Sequence, residues 1–165
     1  MGGYYIRSPN EELERIKRSF RGMIVVKYNC FKARYLPVVS VEGMIVRDGR
    51  VLLLRRRFGP ARGEWWFPGG RVRWGEGFLD ALRRELLEET GLEIRGCRFV
   101  GVYSRVFPER HDVTVAYLCE GVGEVRLNEE HSEYGFFDVL PGNLHPYLLE
   151  VVRDSGWRPG GGVGV

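Results

Sequence analysis

Two apolar-rich runs, residues 37–47 and 50–56, flank Asp48-Gly49, a two-residue turn whose backbone matches the twist of the strands it joins, so the pair predicts a β-hairpin. Trp66-Phe67-Pro68-Gly69-Gly70 then ends a short aromatic strand in a turn that needs glycine. From about Gly77 the period becomes helical. Phe78, Leu79, Leu82, Leu86 and Leu87 recur as one apolar stripe, and Gly91 stops the helix. Further strands are expected over 95–103, 113–119 and 134–137, and a last helix over 146–154 ends before Gly156. Ahead of the hairpin, Ser8-Pro9-Asn10-Glu11 opens a helix well. Leu13, Ile16 and Phe20 give that helix an apolar edge suited to packing on the body or on a second subunit of a homodimer, and residues 23–31 read as a strand.

Strands and helices in this order predict an α/β chain whose mixed sheet is covered on both faces by helices. The expected organisation is an N-terminal helix and strand extension over 1–36, one domain over 37–157 and a flexible Gly-rich tail over 158–165. At 165 residues the chain is long enough for one domain with a sizeable core. The 25 basic and 22 acidic residues leave a net charge of +3, which suits a small anionic ligand and argues against nucleic acid as the main partner. No apolar run reaches the roughly 20 residues that span a bilayer and no secretory segment opens the chain, so a cytoplasmic protein is expected, away from membranes. Cys30, Cys97 and Cys119 have neither metal-ligand spacing nor an even count and read as buried, reduced thiols.

The chemistry concentrates on the helix after Gly77. Glu85, Glu88 and Glu89 stand at i, i+3 and i+4, which gathers three carboxylates on one helical face about one turn apart. Their mutual repulsion is a cost that a bound hard cation removes. Taken alone, such a cluster also suits a solvated helix face paired with Arg83 and Arg84.

The whole stretch from Gly70 to Leu92, GRVRWGEGFLDALRRELLEETGL, resembles the Nudix box, with Gly70, Glu76, Arg84, Glu85, Leu86, Glu88, Glu89, Gly91 and Leu92 at its fixed places. The resemblance covers about residues 37–154 and implies an α/β/α sandwich and hydrolysis of a nucleoside diphosphate linked to another group. It further implies Mg²⁺, or Mn²⁺ in its place, on Glu85, Glu88, Glu89 and the Gly70 carbonyl. Arg84 would orient the glutamates and Glu76 would brace the loop and helix.

The flanks, Arg55 to Val72 and His131-Ser132-Glu133-Tyr134, are similar to those of GDP-mannose mannosyl hydrolases. That likeness implies that Arg56 and Arg71 hold the diphosphate, that His131 is catalytic, and that Glu42, Trp65 and Tyr103 contact a sugar nucleotide. Each has a plainer reading. Arg55, Arg56 and Arg57 alternate along a strand, so only those facing the cleft reach substrate. His131 is equally a surface-loop histidine among Glu129, Glu130 and Glu133, and strand aromatics such as Trp65 and Trp66 are more often core. The mannosyl hydrolases lack one clustered glutamate and attack at sugar carbon, whereas all three are present here, which favours attack at phosphorus. The proton acceptor is Glu85, a carboxylate of residues 129–133, or His131. The functions weighed are a nucleotide-sugar hydrolase with a substrate such as GDP-mannose, a pyrophosphatase for a nucleoside triphosphate, ADP-ribose or a dinucleotide, and a non-catalytic nucleotide-sensing or RNA-binding domain, against which the retained glutamates count.

Overall fold

Asp48 and Gly49 both adopt positive φ, 50° and 74°, and turn β1 (Val38–Arg47) back into β2 (Arg50–Arg56) as the sequence requires. The computed structural model describes residues 36–59, 61–108 and 110–159; the expected N-terminal helix, the strand over 23–31 and Cys30 lie outside the described residues. The hairpin differs from the expected one in extent, because β1 and β2 pair only beside the turn, at Val46↔Val51 and Arg47↔Arg50. Beyond that point the strands part. β3 (Trp65–Trp66) takes the freed edge of β2 at Leu54↔Trp66, while β4 (Gly69–Arg71) takes the freed edge of β1 at Val41↔Gly70. Backbone groups exposed by the splay are thereby paired again, and the Gly69-Gly70 turn is wedged into the middle of the sheet.

β5 (Glu93–Phe107) and β6 (Arg110–Val122) form a long antiparallel pair, and β6 runs parallel to β1 from Val38↔Asp112 to Val46↔Glu120. Both strands extend past the expected limits because their far ends leave the covered sheet; Val106 is 77% exposed. β7 (His131–Phe137) pairs with β2 and begins at His131, with a register shift between Arg55 and Arg56. Among the described residues these seven strands make one mixed sheet.

The sheet lies between α1 (Phe78–Thr90) and α2 (Pro146–Ser155). On the α1 side Val41, Ile45, Leu52, Leu54, Val115 and Tyr117 pack with Ala81, Leu82 and Leu86, while Met44, Val51, Leu53, Ala116 and Leu118 pack on the other side with Leu148 and Val151. The run Val51 to Leu54 is apolar throughout because both of its faces are covered. The buried stripe of α1 is narrower than expected: Ala81, Leu82, Leu86, Glu89 and Thr90 are buried, but Phe78, Leu79 and Leu87 are 47%, 41% and 53% exposed. Glu89 therefore occupies the core-facing edge of the helix, a stripe filled elsewhere by Ala81, Leu82, Leu86 and Thr90.

Candidate active site

Gly69 and Gly70 carry the carboxylates of α1 against β1. Gly69 has φ 154°, and a Cβ there would strike the Val41 carbonyl and lie 2.7 Å from the Glu42 Cα. A Cβ at Gly70 would collide with the Glu85 carboxyl group. Glycine at both places lets the strand pass close enough for the Gly69 N–H to donate to Glu89 Oε2 at 2.8 Å. Burial of Glu89 raises its pKa to about 8; the Gly69 hydrogen bond opposes that rise and the charges of Glu85 and Glu130 add to it.

Arg84 anchors the other members. Its Nε and Nη2 donate to the two oxygens of Glu76 at 2.6 and 2.8 Å, its Nη1 to Glu85 Oε1 at 2.6 Å, and its Nη2 also to the Arg71 carbonyl at 3.1 Å. Glu88 Oε2 accepts from Arg84 at 3.4 Å and Glu88 Oε1 from Arg73 at 3.5 Å. The Arg84 bonds, with the Arg73 N–H, hold Glu76 at a pKa of about 2, a permanently charged brace between loop and helix. Among the described residues no three His, Cys, Asp or Glu donors are gathered closely enough to hold an ion. The residue types fit one nevertheless: all-oxygen donors, a glycine cradle against Glu85, and a buried Glu89 whose ionisation Glu85 opposes.

His131 is 4% exposed, so the surface-loop reading is excluded. Asn128 Oδ1 accepts from the Glu130 N–H at 3.1 Å and lies 3.2 Å from His131 Nδ1, so Nδ1 carries the ring proton and Nε2 presents a lone pair. That Nε2 is 4.0 Å from Glu89 Oε1. Burial, then the charge of Arg56, lowers the His131 pKa to about 4. Of the arginine triplet, Arg55 bonds Glu133 at 3.2 Å and Arg57 the His131 carbonyl at 3.2 Å. The charge of Arg56, between them on β2, acts on Glu42, Glu89 and His131.

The other expected contacts lie on the α2 side. Glu42 is buried, and its oxygens accept from Trp66 Nε1 at 3.0 Å and the Tyr147 hydroxyl at 2.8 Å. Arg105, which sequence reasoning missed, stacks its guanidinium 3.8 Å from the Tyr147 ring centroid and bonds Thr114 Oγ1 at 2.9 Å. Nothing local marks Arg105; its partners Glu42, Trp66, Thr114 and Tyr147 come from four other elements. Trp65 packs edge-on against Phe137, and the Tyr103 hydroxyl donates to Asp154 at 3.0 Å, so both are placed by the α2-side core, away from the carboxylates. Arg71 is exposed on β4, its carbonyl tied to Arg84. The structure thus gathers Gly70, Arg84, Glu85, Glu88, Glu89, Arg56 and His131, and keeps Glu42, Trp65 and Tyr103 in a separate aromatic layer.

A family model described as the NUDIX domain matches residues 35–147. The ADP-ribose pyrophosphatase of Methanocaldococcus jannaschii is 35% identical over 132 residues, which cover 75% of this chain and 76% of that protein. The oxidized purine nucleoside triphosphate hydrolase of Mus musculus is 39% identical over 121 residues, 70% of this chain and 74% of that one. The crystal structure of a MutT Nudix hydrolase from Burkholderia pseudomallei superposes with a TM-score of 0.68 at 33% identity, covering 72% of this chain and 98% of that chain.

Proposed function

The chain belongs to the Nudix family and is a Nudix hydrolase, and from that premise we propose that it cleaves the diphosphate of a nucleoside diphosphate sugar with Mg²⁺, ADP-ribose being the first candidate and GDP-mannose the second. The observation that carries this reading is the convergence of Glu85 and Glu89 on the Gly69-Gly70 turn, with the charge of Arg56 acting on Glu89. Glu85, Glu88, Glu89 and the Gly70 carbonyl would hold the ion, which when bound screens diphosphate charge and acidifies a water; Mn²⁺ fits the same donors.

The chain's own residues do the rest. Arg56 and Arg71 bind the diphosphate, for which permanently charged, planar guanidinium groups are suited. Arg84, fixed by Glu76, sets the orientation of Glu85 and Glu88. The Gly69 N–H sets that of Glu89, and the His131 Nε2 lone pair accepts the proton of the attacking water. Glu42 positions Trp66 and Tyr147 as an aromatic wall. The likeness to the M. jannaschii ADP-ribose pyrophosphatase supports placing ADP-ribose ahead of GDP-mannose, and the likeness to the mouse enzyme supports an oxidised purine nucleoside triphosphate as the second reading. For a homodimer, the exposed Phe99, Val102 and Val106 on the edge strand β5 offer the apolar contact.

A panel of ADP-ribose, GDP-mannose, dinucleotides and nucleoside triphosphates, incubated with Mg²⁺ and resolved by chromatography, tests the proposal. Conversion of ADP-ribose to AMP and ribose 5-phosphate at the highest kcat/KM supports it. Preference for a triphosphate, with release of pyrophosphate, selects the second reading.

A further inference from the structure

Two cysteines that the hydrolytic site does not use face each other across the sheet. Cys97 on β5 and Cys119 on β6 are directly opposed residues of the antiparallel pair, and their sulfurs lie 2.8 Å apart as free thiols. Directly opposed residues on such a pair have Cβ atoms about 4.5–5.5 Å apart, close to the roughly 3.5–4.5 Å that a disulfide requires, so small adjustments suffice to join them. Cys119 is fully buried in the cluster that supports Leu82 and Leu86 of α1, whereas Cys97 lies partly exposed on the edge strand.

We propose that Cys97 and Cys119 are an oxidation site, at which peroxide converts the two thiols into a cross-strand disulfide that ties the edge strand to the layer beneath α1. Cys97 is the side an oxidant reaches. The contact with the Cys119 thiol, joined by the positive charge of Arg83 and opposed by burial, lowers the Cys97 pKa, while the same contact, with burial, raises that of Cys119. The Cys97 sulfur attacks the O–O bond of hydrogen peroxide: an S–O bond forms, the O–O bond breaks, and the leaving hydroxide departs as water with the Cys97 proton. The Cys119 sulfur then attacks the sulfenic sulfur of Cys97. An S–S bond forms, the S–O bond breaks, and a second water leaves with the Cys119 proton. Two thiols and one hydrogen peroxide thus give one disulfide and two waters, with two electrons passing from sulfur to peroxide.

The test uses the full chain carrying Cys30→Ala, which removes the third thiol as a competing partner. After treatment with a small excess of hydrogen peroxide and quenching, intact mass should fall by two hydrogens, and non-reducing peptide mapping should recover the segments holding Cys97 and Cys119 as one linked species. The cross-link should raise Tm by on the order of 5–10 °C, reversed by dithiothreitol. Cys97→Ala, at the more accessible position, should fold, keep hydrolytic activity and lose the Tm response. Recovery of both cysteines as alkylatable thiols, arrest at a sulfinic acid on Cys97, or linkage only between chains would each overturn the proposal.

Discussion

His131 Nε2 faces Glu89 Oε1 across 4.0 Å, and both side chains are more than nine-tenths hidden from solvent. Neither group reaches the other to form a direct hydrogen bond. The Asn128 contact directs the imidazole lone pair toward the carboxylate, and the Gly69 N–H holds the carboxylate toward the wedge of the sheet. The pair is therefore arranged by its surroundings for a third participant.

The His131 half of this relationship predicts a kinetic signature. With its pKa lowered to about 4, by burial first, the imidazole is neutral throughout the range in which the enzyme would be assayed. His131→Ala should lower kcat by on the order of 10² to 10⁴ if Nε2 accepts the proton. The loss should be the same at every pH from 6 to 9, since no His131 ionisation falls there. A kcat within threefold of the parent assigns proton removal to a carboxylate instead.

Glu89 predicts a linkage between metal and proton. Its folded pKa of about 8, from the ordinary 4.5, means that the stability its protonated form contributes is complete below pH 4.5 and is lost as pH rises through 8. Mg²⁺ binds the ionised carboxylate, so the Tm increase on adding Mg²⁺ should be small at pH 5.5 and larger at pH 8.5. Glu89→Gln imitates the protonated acid. It should be inactive, yet in metal-free buffer at pH 8.5 more stable than the parent by about 1–3 kcal/mol, the advantage vanishing near pH 5. Thermal scans across pH decide this, and a metal-induced shift independent of pH would sink the assignment of Glu89 as a ligand.

How far the sequence reveals this site depends on the separation of its parts. Glu85, Glu88 and Glu89 lie on one helix that Gly91 ends, so period and spacing place them together, whereas Gly70, Glu76 and Arg84 join them only through the resemblance to the Nudix box. The depth of Glu89 was hidden, because a helical wheel gives a face but not which edge of that face meets the sheet. The parting of β1 from β2 was equally hidden: Asp48-Gly49 announces a hairpin, whereas its early end depends on β3 and β4 inserting from residues 65–71. Contacts such as Tyr147 with Glu42, 105 residues apart, and the opposition of Cys97 and Cys119, which depends on the strand register, have no local signal at all.

Gly70→Ala probes the close approach of β4 to α1. A methyl group would occupy the space of the Glu85 carboxyl group, and a side chain on flexible bonds can give way, so the fold should persist. The displaced carboxylate should cost at least about tenfold in kcat/KM and raise the Mg²⁺ concentration needed for half-maximal rate, given the sensitivity of rate to small misplacements of catalytic groups. Circular dichroism and a Mg²⁺ titration check the two halves separately. Parent-like Mg²⁺ dependence would mean that Glu85 has no part in holding the ion.

The point of water attack follows from the number and placement of the glutamates. Three carboxylates on α1, with Glu89 and Glu85 drawn against the Gly69-Gly70 turn and the charge of Arg56 acting on Glu89, concentrate cation-binding groups where a diphosphate would lie. In the Glu42, Trp66 and Tyr147 layer, which would face the remainder of the substrate, Glu42 is committed to two hydrogen bonds. Attack at phosphorus is therefore expected, giving a nucleoside monophosphate and a sugar phosphate. In ¹⁸O-labelled water the label should appear in one of those phosphates. Label confined to a free sugar hydroxyl, with nucleoside diphosphate as the other product, would instead place the attack at the sugar carbon and overturn this expectation.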